Sequence, residues 1–143
     1  MNLLFGKSIW GMFPCETERF LDRAKGDGFD AVEMLLFWLA EPPEHVARLC
    51  AERGLLLVAQ ILTEGDGPAD HLEFLERRVR ETAAAGPALI NLHTGKDFFP
   101  AADNRCLFER ALKLAGELGV SIVHETHRGR ALYSAPIAGG YLR

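Results

Sequence analysis

Two short stretches carry the residues best suited to chemistry, NLH at residues 91–93 and HETH at residues 124–127. A carboxylate and an imidazole can transfer protons near neutral pH, and both are ligands for divalent metals. Glu125 follows the β-branched run at residues 120–123, and His93 ends another apolar run. In α/β proteins the ends of parallel strands carry the ligand and the catalytic groups. We therefore predict an active site at the strand ends that present His93 and Glu125.

The rest of the chain is predicted to be scaffold for that edge. Apolar runs alternate with helix-period stripes, which predicts a repeating unit of strand, polar loop, helix and glycine. The unit glycines Gly28, Gly54, Gly86 and Gly119 are 26, 32 and 33 residues apart, about one βα unit each. The predicted strands cover residues 3–10, 29–36, 55–62, 88–93 and 120–125, with a helix between each successive pair.

The start of the third helix and the end of the chain can be predicted in more detail. Asp70 and Glu73 resemble a capping box and predict the start of the third helix. Residues 131–143 contain apolar side chains but show no complete helical pattern. We therefore predict four helices and an irregular tail.

Side-chain alternation sorts the strand residues into two faces. Apolar residues such as Val32, Ile90 and Ile122 share the helix-facing side with His124. A sheet with helices on both faces needs apolar residues on both. The other face instead collects polar residues near each strand end, which favours a barrel with a polar mouth over an open flavodoxin-like sheet. These residues are Ser8, Trp10, Glu33, Gln60, Asn91, His93 and Glu125.

Three motifs follow the second, fourth and fifth strands in this order: GFDAVEM at residues 28–34, NLHTG at 91–95 and VHETHRGR at 123–130. Together they resemble the sugar phosphate isomerase/epimerase family. This family belongs to the xylose isomerase-like TIM barrel superfamily, which also holds endonuclease IV. The resemblance covers essentially the whole chain and implies an α/β fold of parallel βα units. Because a TIM barrel has eight strands in roughly 200 to 250 residues, we predict one partial barrel domain, residues 1–143, with about five of the eight strands.

The resemblance also implies a divalent metal, Mn, Mg or Zn. The family typically holds it with a Glu at the end of a middle strand and with an Asp, a His and a second Glu from later strands. Glu125 matches the first ligand, and the other three have no counterpart in this sequence. Since a tight site needs about four ligands, the isolated chain is expected to bind metal poorly, or not at all, and to have little activity.

The implied reaction is proton transfer at a carbon next to the carbonyl of a sugar or sugar phosphate. His93 and Glu33 are the predicted catalytic residues. His93 could shuttle a proton or contact substrate oxygens, but a polar cap on the barrel is an equal alternative. Glu33 could orient a metal ligand, although a structural pair with a buried neighbour explains it as well.

Four residues are predicted to bind substrate. Trp10 could stack on a sugar face, although most strand aromatics belong to the core. His127, Arg128 and Arg130 lie in the loop after the fifth strand, where a guanidinium could bind a phosphate or carboxylate. Solvated loop charge is the alternative for these three. His71, at a predicted helix start, is given no role.

The composition limits the partners that we predict. The chain has 16 Lys and Arg against 20 Asp and Glu, a net charge of −4, and its longest basic run is Arg77-Arg78. This predicts a small-molecule partner and no nucleic acid, and the resemblance implies that the small molecule is a sugar or sugar phosphate. The three cysteines fit neither a disulfide framework nor a zinc spacing, and no stretch approaches the ~20 apolar residues of a membrane span. We therefore predict a cytoplasmic protein with no membrane partner.

Three alternatives stay open at this point. A non-catalytic fragment or pseudoenzyme would need a partner, because five parallel strands cannot close, and their exposed edge could also pair copies of the chain. An endonuclease IV-like DNA repair enzyme is disfavoured by the acidic composition. An open flavodoxin-like domain has the right number of strands, but its first turn, residues 11–14, lacks phosphate-binding character.

Overall fold

The computed structural model describes residues 3–142, in which five strands alternate with five helices. The strands are β1 (Gly6–Ser8), β2 (Ala31–Met34), β3 (Leu56–Leu62), β4 (Leu89–His93) and β5 (Ile122–His124). The helices are α1 (Thr17–Gly26), α2 (Pro43–Glu52), α3 (Pro68–Ala84), α4 (Ala101–Leu118) and α5 (Ala135–Tyr141). Two 3₁₀ turns, Ile9–Gly11 and Leu36–Trp38, follow β1 and β2.

All five strands are parallel and lie in the sheet in chain order, β1-β2-β3-β4-β5. Doubly wound sheets reverse their order at a switch point, as in the flavodoxin-like order 2-1-3-4-5. The open flavodoxin-like alternative is therefore wrong. Strands that follow one another in chain order are the arrangement of a βα barrel. The register pairs Gln60 with Asn91 and Leu62 with His93, so the carboxyl ends share one edge.

The helices pack on the face of the sheet that the sequence marked as apolar, and they enclose two core clusters. The first joins α1 and α2 to β2, β3 and the turn after β1 around Phe20, Leu21 and Met34, all fully buried. The second joins α3 and α4 to β3 and β4 around Ile90 and Leu92. Each fully buried side chain of this size stabilises the fold by about 1.5 to 3 kcal/mol. The strands that end in polar residues therefore rest on a packed layer.

The start of α3 differs from the prediction. The helix begins at Pro68, so Asp70 lies within its first turn instead of before it. Asp70 Oδ2 accepts hydrogen bonds from the backbone N–H groups of Asp66 at 3.0 Å and Gly67 at 2.9 Å. These amides precede the helix, and the carboxylate satisfies them from inside it, as the acidic member of a capping box does. Glu73 takes no part in this arrangement.

The ends of the chain also differ from the prediction. β1 and β5 are three residues each, shorter than predicted, and each pairs with one other strand of the described sheet. Residues 135–141 form α5, which was predicted to be irregular because its apolar side chains show no complete helical pattern. The Tyr141 ring packs on Phe108 of α4, 4.9 Å away, which supplies tertiary support for the helix. None of the helices in residues 3–142 is long and apolar enough to cross a membrane.

Candidate functional site

The polar face of the sheet forms one connected set of hydrogen bonds at the carboxyl ends of the strands. Trp10 Nε1 donates to Gln60 Oε1 at 2.8 Å, and Gln60 Nε2 lies 2.9 Å from His93 Nε2. His93 Nε2 in turn lies 2.9 Å from Glu125 Oε2. We call the connected residues the site network: Trp10, Glu33, Gln60, Asn91, His93 and Glu125.

Asn91 joins the two acidic residues of the network. Its Nδ2 donates to Glu125 Oε2 at 2.6 Å and to Glu33 Oε1 at 2.8 Å. An amide nitrogen carries two hydrogens, so one side chain satisfies both carboxylates. The register that sets Gln60 beside Asn91 puts the amide between β2 and β5. Asn91 and Gln60 were placed on this face by the sequence, but their bridging roles follow only from the register.

The hydrogen bonds around His93 depend on whether Nε2 carries a proton. An indole N–H can only donate, so Trp10 fixes the Gln60 oxygen toward itself and turns the Gln60 amide group toward His93. With a proton on Nε2, His93 can donate to Glu125; without it, Nε2 can accept from Gln60. It cannot do both. His93 Nδ1 is buried and has no hydrogen-bond partner within the described residues.

The electrostatics keep His93 neutral beside an ionised Glu125. Burial lowers the pKa of His93, and the attraction of Glu125 offsets only part of that effect. Burial alone would raise the pKa of Glu125, but the hydrogen bond from Asn91 and the contact with His93 outweigh it, so the pKa lies below its usual value. His93 is 5% exposed and Glu125 is 36% exposed. His93 is therefore a buried neutral base in contact with the ionised Glu125 carboxylate, which is partly exposed to solvent.

The structure brings one of the three predicted loop residues to the network. The His127 ring lies 4.8 Å from the His93 ring, and its Nδ1 contacts the carbonyl of Arg128 at 2.6 Å. The Arg128 side chain is exposed. Arg130 is 9% exposed, and its Nη1 donates to the carbonyl of Thr63 at 2.7 Å. Substrate binding by these residues stays a prediction.

A second buried group lies behind this edge and was not predicted from the sequence. His71 is fully buried, its Nδ1 lies 2.8 Å from Thr63 Oγ1, and its Nε2 has no partner in the described part of the chain. Thr63 Oγ1 also accepts from the backbone N–H of Gly95 at 2.8 Å and contacts the carbonyl of His93 at 3.3 Å. These bonds tie the ends of β3 and β4 together. A histidine at a helix start gave no signal of this burial.

His124, predicted to face the helices, does so. Its ring packs edge-on against Phe108 of α4 at 4.8 Å, and its Nδ1 lies 2.7 Å from Thr94 Oγ1. Burial lowers the pKa of His124 to about 4, so the ring is neutral near pH 7. His124 is therefore a packed histidine on the side opposite Glu125.

The donor chemistry at Glu125 and His93 suits a divalent metal, but the number of ligands does not. One carboxylate and one imidazole are typical N and O donors. Within residues 3–142, no group of three or more His, Cys, Asp or Glu side chains could hold a metal ion. Because tight sites use about four ligands, the described residues do not fit a complete metal centre.

Comparison with known proteins gives a likeness of fold. No protein-family model and no curated protein matches the chain. Among solved structures, 99% of the chain superposes on 66% of an AP endonuclease, family 2, from Brucella melitensis, with a TM-score of 0.65 and 13% identity. It likewise superposes on endonuclease IV from Thermus thermophilus, covering 96% of this chain and 57% of that one, with a TM-score of 0.56 and 16% identity.

A third solved structure, a β-arabinopyranosidase, matches 87% of this chain and 23% of its own length, with a TM-score of 0.60 and 14% identity. The chain thus spans less than two thirds of each of these three proteins. At these identities the likeness shows the fold alone. It confirms the predicted fold class, five parallel βα units that match part of a TIM barrel.

One prediction about partners needs correction. The acidic composition predicted no nucleic-acid partner, and this exclusion is contradicted because two of the similar structures are endonucleases. Net charge is an average over the whole surface and does not describe one edge of the sheet. A chain with a net charge of −4 can therefore share its fold with enzymes that cut nucleic acid.

Proposed function

We propose that the site network transfers a proton at a carbon next to the carbonyl of a sugar, the chemistry of an isomerase or epimerase. The observation that carries this proposal is His93 Nε2, which lies 2.9 Å from an amide donor and 2.9 Å from a carboxylate acceptor. A neutral imidazole in this position can take up a proton and release it again near neutral pH.

Each residue of the site network has its own role in this proton transfer. His93 removes the proton from the carbon, and the carbonyl oxygen takes up the charge as an enediolate-like intermediate. Glu125 stabilises the imidazolium that forms, because the ionised carboxylate lies in contact with it. Glu33 holds Asn91, and Asn91 holds Glu125 in place. Return of the proton to the neighbouring carbon, together with transfer of the hydroxyl proton to the former carbonyl oxygen, completes an isomerisation.

A divalent metal on Glu125 belongs to this proposal as a further component. Mn, Mg or Zn would polarise the substrate oxygens when bound. The additional ligands would have to lie outside residues 3–142, since the described residues supply too few. None of these proton transfers depends on the metal.

The fold likeness favours a second candidate, an endonuclease. Almost the whole chain superposes on an AP endonuclease, and most of it on endonuclease IV. In this case the same edge would bind a sugar–phosphate backbone, and Arg128 would lie at its rim. The two candidates share the site but differ in the bond that reacts.

The test is deuterium exchange into sugars. The full chain is incubated in D₂O with a panel of aldoses and ketoses, free and phosphorylated, with and without Mn²⁺, Mg²⁺ or Zn²⁺, and proton NMR follows the C–H signal next to the carbonyl. We expect exchange that falls by about 10²-fold or more in His93→Gln and that persists in His45→Gln, whose ring contacts Arg48 at the surface.

Two outcomes would contradict the isomerase proposal. One is the absence of exchange with every sugar of the panel under every metal condition. The other is exchange that survives unchanged in His93→Gln. Nicking of an abasic-site duplex by the wild type, without sugar exchange, would support the endonuclease candidate in its place.

A further inference from the structure

The loop that follows β5, residues 126–132, is closed on itself by its own backbone. The N–H of His127 donates to the carbonyl of Leu132 at 3.1 Å, and the N–H of Arg130 donates to the carbonyl of His127 at 3.2 Å. Gly129 has a φ of +72°, which glycine adopts without strain. We call this segment the β5 loop. These bonds fix the shape of the loop but not its position on the sheet.

Two contacts fix the position of the β5 loop over the ends of β3 and β4. The backbone N–H of Ala131 donates to the carbonyl of Thr94 at 3.0 Å. The Arg130 side chain reaches farther, because its Nη1 donates to the carbonyl of Thr63 at 2.7 Å and lies 3.5 Å from the carbonyl of Gly95. Thr63 directly follows β3, and Gly95 lies just beyond β4. One guanidinium therefore joins the ends of three neighbouring strands.

Arg130 is a buried cation whose hydrogen-bond partners are neutral. It is 9% exposed, and the ion pairs described for residues 3–142 do not include it. Burying a charge is costly unless its hydrogen bonds are satisfied. Thr63 is fully buried, so its carbonyl also needs a donor. A planar guanidinium with five donors meets both requirements, and a shorter or apolar side chain would leave the Thr63 carbonyl unpaired.

Thr63, the residue that accepts from Arg130, is also bonded to the backbone of His93. The Thr63 N–H donates to the carbonyl of His93 at 3.1 Å, and the Thr63 hydroxyl donates to the same carbonyl at 3.3 Å. The hydroxyl also accepts from the N–H of Gly95 and contacts His71, each at 2.8 Å. The anchor point of the β5 loop is thus joined firmly to the backbone that carries His93.

The β5 loop brings His127 to the site network. The His127 ring lies 4.8 Å from the His93 ring, tilted by 41°. Within the described residues, every hydrogen bond of His127 stays inside the loop, including the one from its Nδ1 to the carbonyl of Arg128. The position of the His127 ring against His93 therefore depends on how the loop as a whole is anchored.

We propose that Arg130 is a positioning residue, which anchors the β5 loop to Thr63 and thereby holds the His127 ring against His93. This rests on the proposed function, because the reaction that the loop supports is the proton transfer at the same edge. The role differs from the substrate binding predicted for Arg130, since the guanidinium acts on the main chain of the protein. Loss of the anchor uncovers the His93 ring on the side that His127 covers.

Amide hydrogen exchange of the full chain, followed by NMR, tests the anchor without any substrate. The bonds of the β5 loop protect the amides of His127, Arg130 and Ala131. We expect Arg130→Met to speed their exchange by about tenfold to a hundredfold, because a hydrogen bond from a charged group is lost at a buried carbonyl. The amide of Ile90, which lies between β4 and β5, should exchange as in the wild type and shows that the sheet stays folded.

Two further variants separate the geometry of the side chain from its charge. Arg130→Lys keeps the charge but lacks the planar fork, so it should restore the protection of the loop amides only in part. Arg128→Met is the matched control for loop exchange, because Arg128 is an exposed arginine of the same loop. It should leave the loop amides protected. The proton NOE between the rings of His93 and His127 should disappear in Arg130→Met and persist in Arg128→Met.

The deuterium-exchange assay separates positioning from substrate binding. In Arg130→Met we expect kcat to fall by about tenfold to a hundredfold for free and phosphorylated sugars alike, with little change in KM, because the guanidinium holds the loop and not the substrate. A rise in KM confined to sugar phosphates, and reversed by Arg130→Lys, would show that Arg130 binds the phosphate. That result would overturn the proposal.

The positioning role is also overturned if Arg130→Met leaves the loop amides and the ring contact as in the wild type, or if Arg128→Met disturbs them equally. Sugar exchange at the wild-type rate in Arg130→Met, despite an unprotected loop, would overturn it as well and leave the isomerase intact. If the wild type exchanges deuterium into no sugar, the isomerase is rejected. Loss of loop protection in Arg130→Met would then still support Arg130 as the anchor of the loop.

Discussion

At the scale of single residues, the site depends on side-chain amides that donate hydrogen bonds to its acidic residues and to His93. Asn91 donates to two carboxylates, and the Gln60 amide is oriented by Trp10. When a buried or half-buried carboxylate loses its hydrogen-bond donor, the protein loses more stability than an ordinary hydrogen bond contributes. The amides should therefore be as important for stability as the acids are for chemistry.

Replacing Asn91 tests this arrangement. Asn91→Leu leaves Glu33 and Glu125 without their shared donor, and we expect the free energy of unfolding to fall by about 1 to 3 kcal/mol at neutral pH. Urea denaturation measures the loss. In a double-mutant cycle with Glu33→Leu, the two changes should not add, because they remove the same hydrogen bond. Additive losses would show that the Asn91–Glu33 bond contributes nothing.

His71 gives the stability of the protein a pH dependence whose sign follows from its burial. Burial lowers the pKa of His71, the positive charges of Lys96 and Arg130 lower it further, and the backbone at Gly65 and the Asp70 carboxylate oppose the shift. The unfolded chain then binds a proton more readily than the folded one. Stability is complete above the ordinary histidine pKa of about 6.5 and declines as the pH falls through the lowered value.

We expect His71→Asn to flatten this decline. The variant should be less stable than the wild type at about pH 8, by about 2 kcal/mol, since a buried ring is lost. The gap should narrow at about pH 5.5, because only the wild type loses stability through His71. Urea midpoints at the two pH values measure it, with His45→Gln as the surface control. A gap that widens on acidification would contradict the assignment.

At the scale of elements, the loop after β4 is fixed by one close approach. Gly95 has a φ of +58°, and a Cβ there would lie 2.0 Å from Asn104 Oδ1 and 3.2 Å from Leu107. Asn104 is itself tied to the carbonyl of Lys96. The first turns of α4 therefore pack directly on the backbone that follows His93. Only glycine combines this φ with this space.

Gly95→Ala should destabilise the protein by about 2 to 4 kcal/mol, through left-handed strain and overpacking together. The matched control lies in the last turns of α4. A Cβ at Gly116 meets nothing within 4 Å, so Gly116→Ala should stabilise the protein by about 0.5 to 1 kcal/mol through helix propensity. Thermal unfolding of both variants measures the two effects. Equal changes of the same sign would refute the packing argument.

The sequence predicted the elements better where the pattern was long. The apolar runs of β3 and β4 were placed to within one residue, because buried parallel strands are continuous and apolar. The edge strands and the glycine-containing α5 were misjudged, since their extent depends on tertiary partners. The polar face was predicted from alternation, but the bonds of Gln60 and Asn91 depend on register, which alternation cannot supply. The burial of His71 was equally invisible.

At the scale of the whole molecule, the strand order decides the fold, and the open side of the sheet shows its consequences. The sequential strand order identifies the sheet as part of a barrel. In a closed barrel each strand has a neighbouring strand on both sides, but in the described sheet β5 pairs only with β4. Val123 of β5 is 43% exposed and Leu112 of α4 is 76% exposed. The two residues border an apolar cavity of about 550 Å³ between α4, β5 and α5. Exposed apolar area of this kind attracts apolar ligands.

We expect the cavity to bind the hydrophobic dye ANS at neutral pH, where the protein is fully folded. Leu112→Lys should remove most of the dye fluorescence, because it places a charge on the apolar wall, and it should leave the free energy of unfolding within about 0.5 kcal/mol, since the side chain is exposed. Phe98→Lys is the control, an exposed aromatic outside the cavity. Equal dye binding by the two variants would assign the fluorescence to scattered apolar residues, whereas selective loss in Leu112→Lys would locate it at the open edge beyond β5.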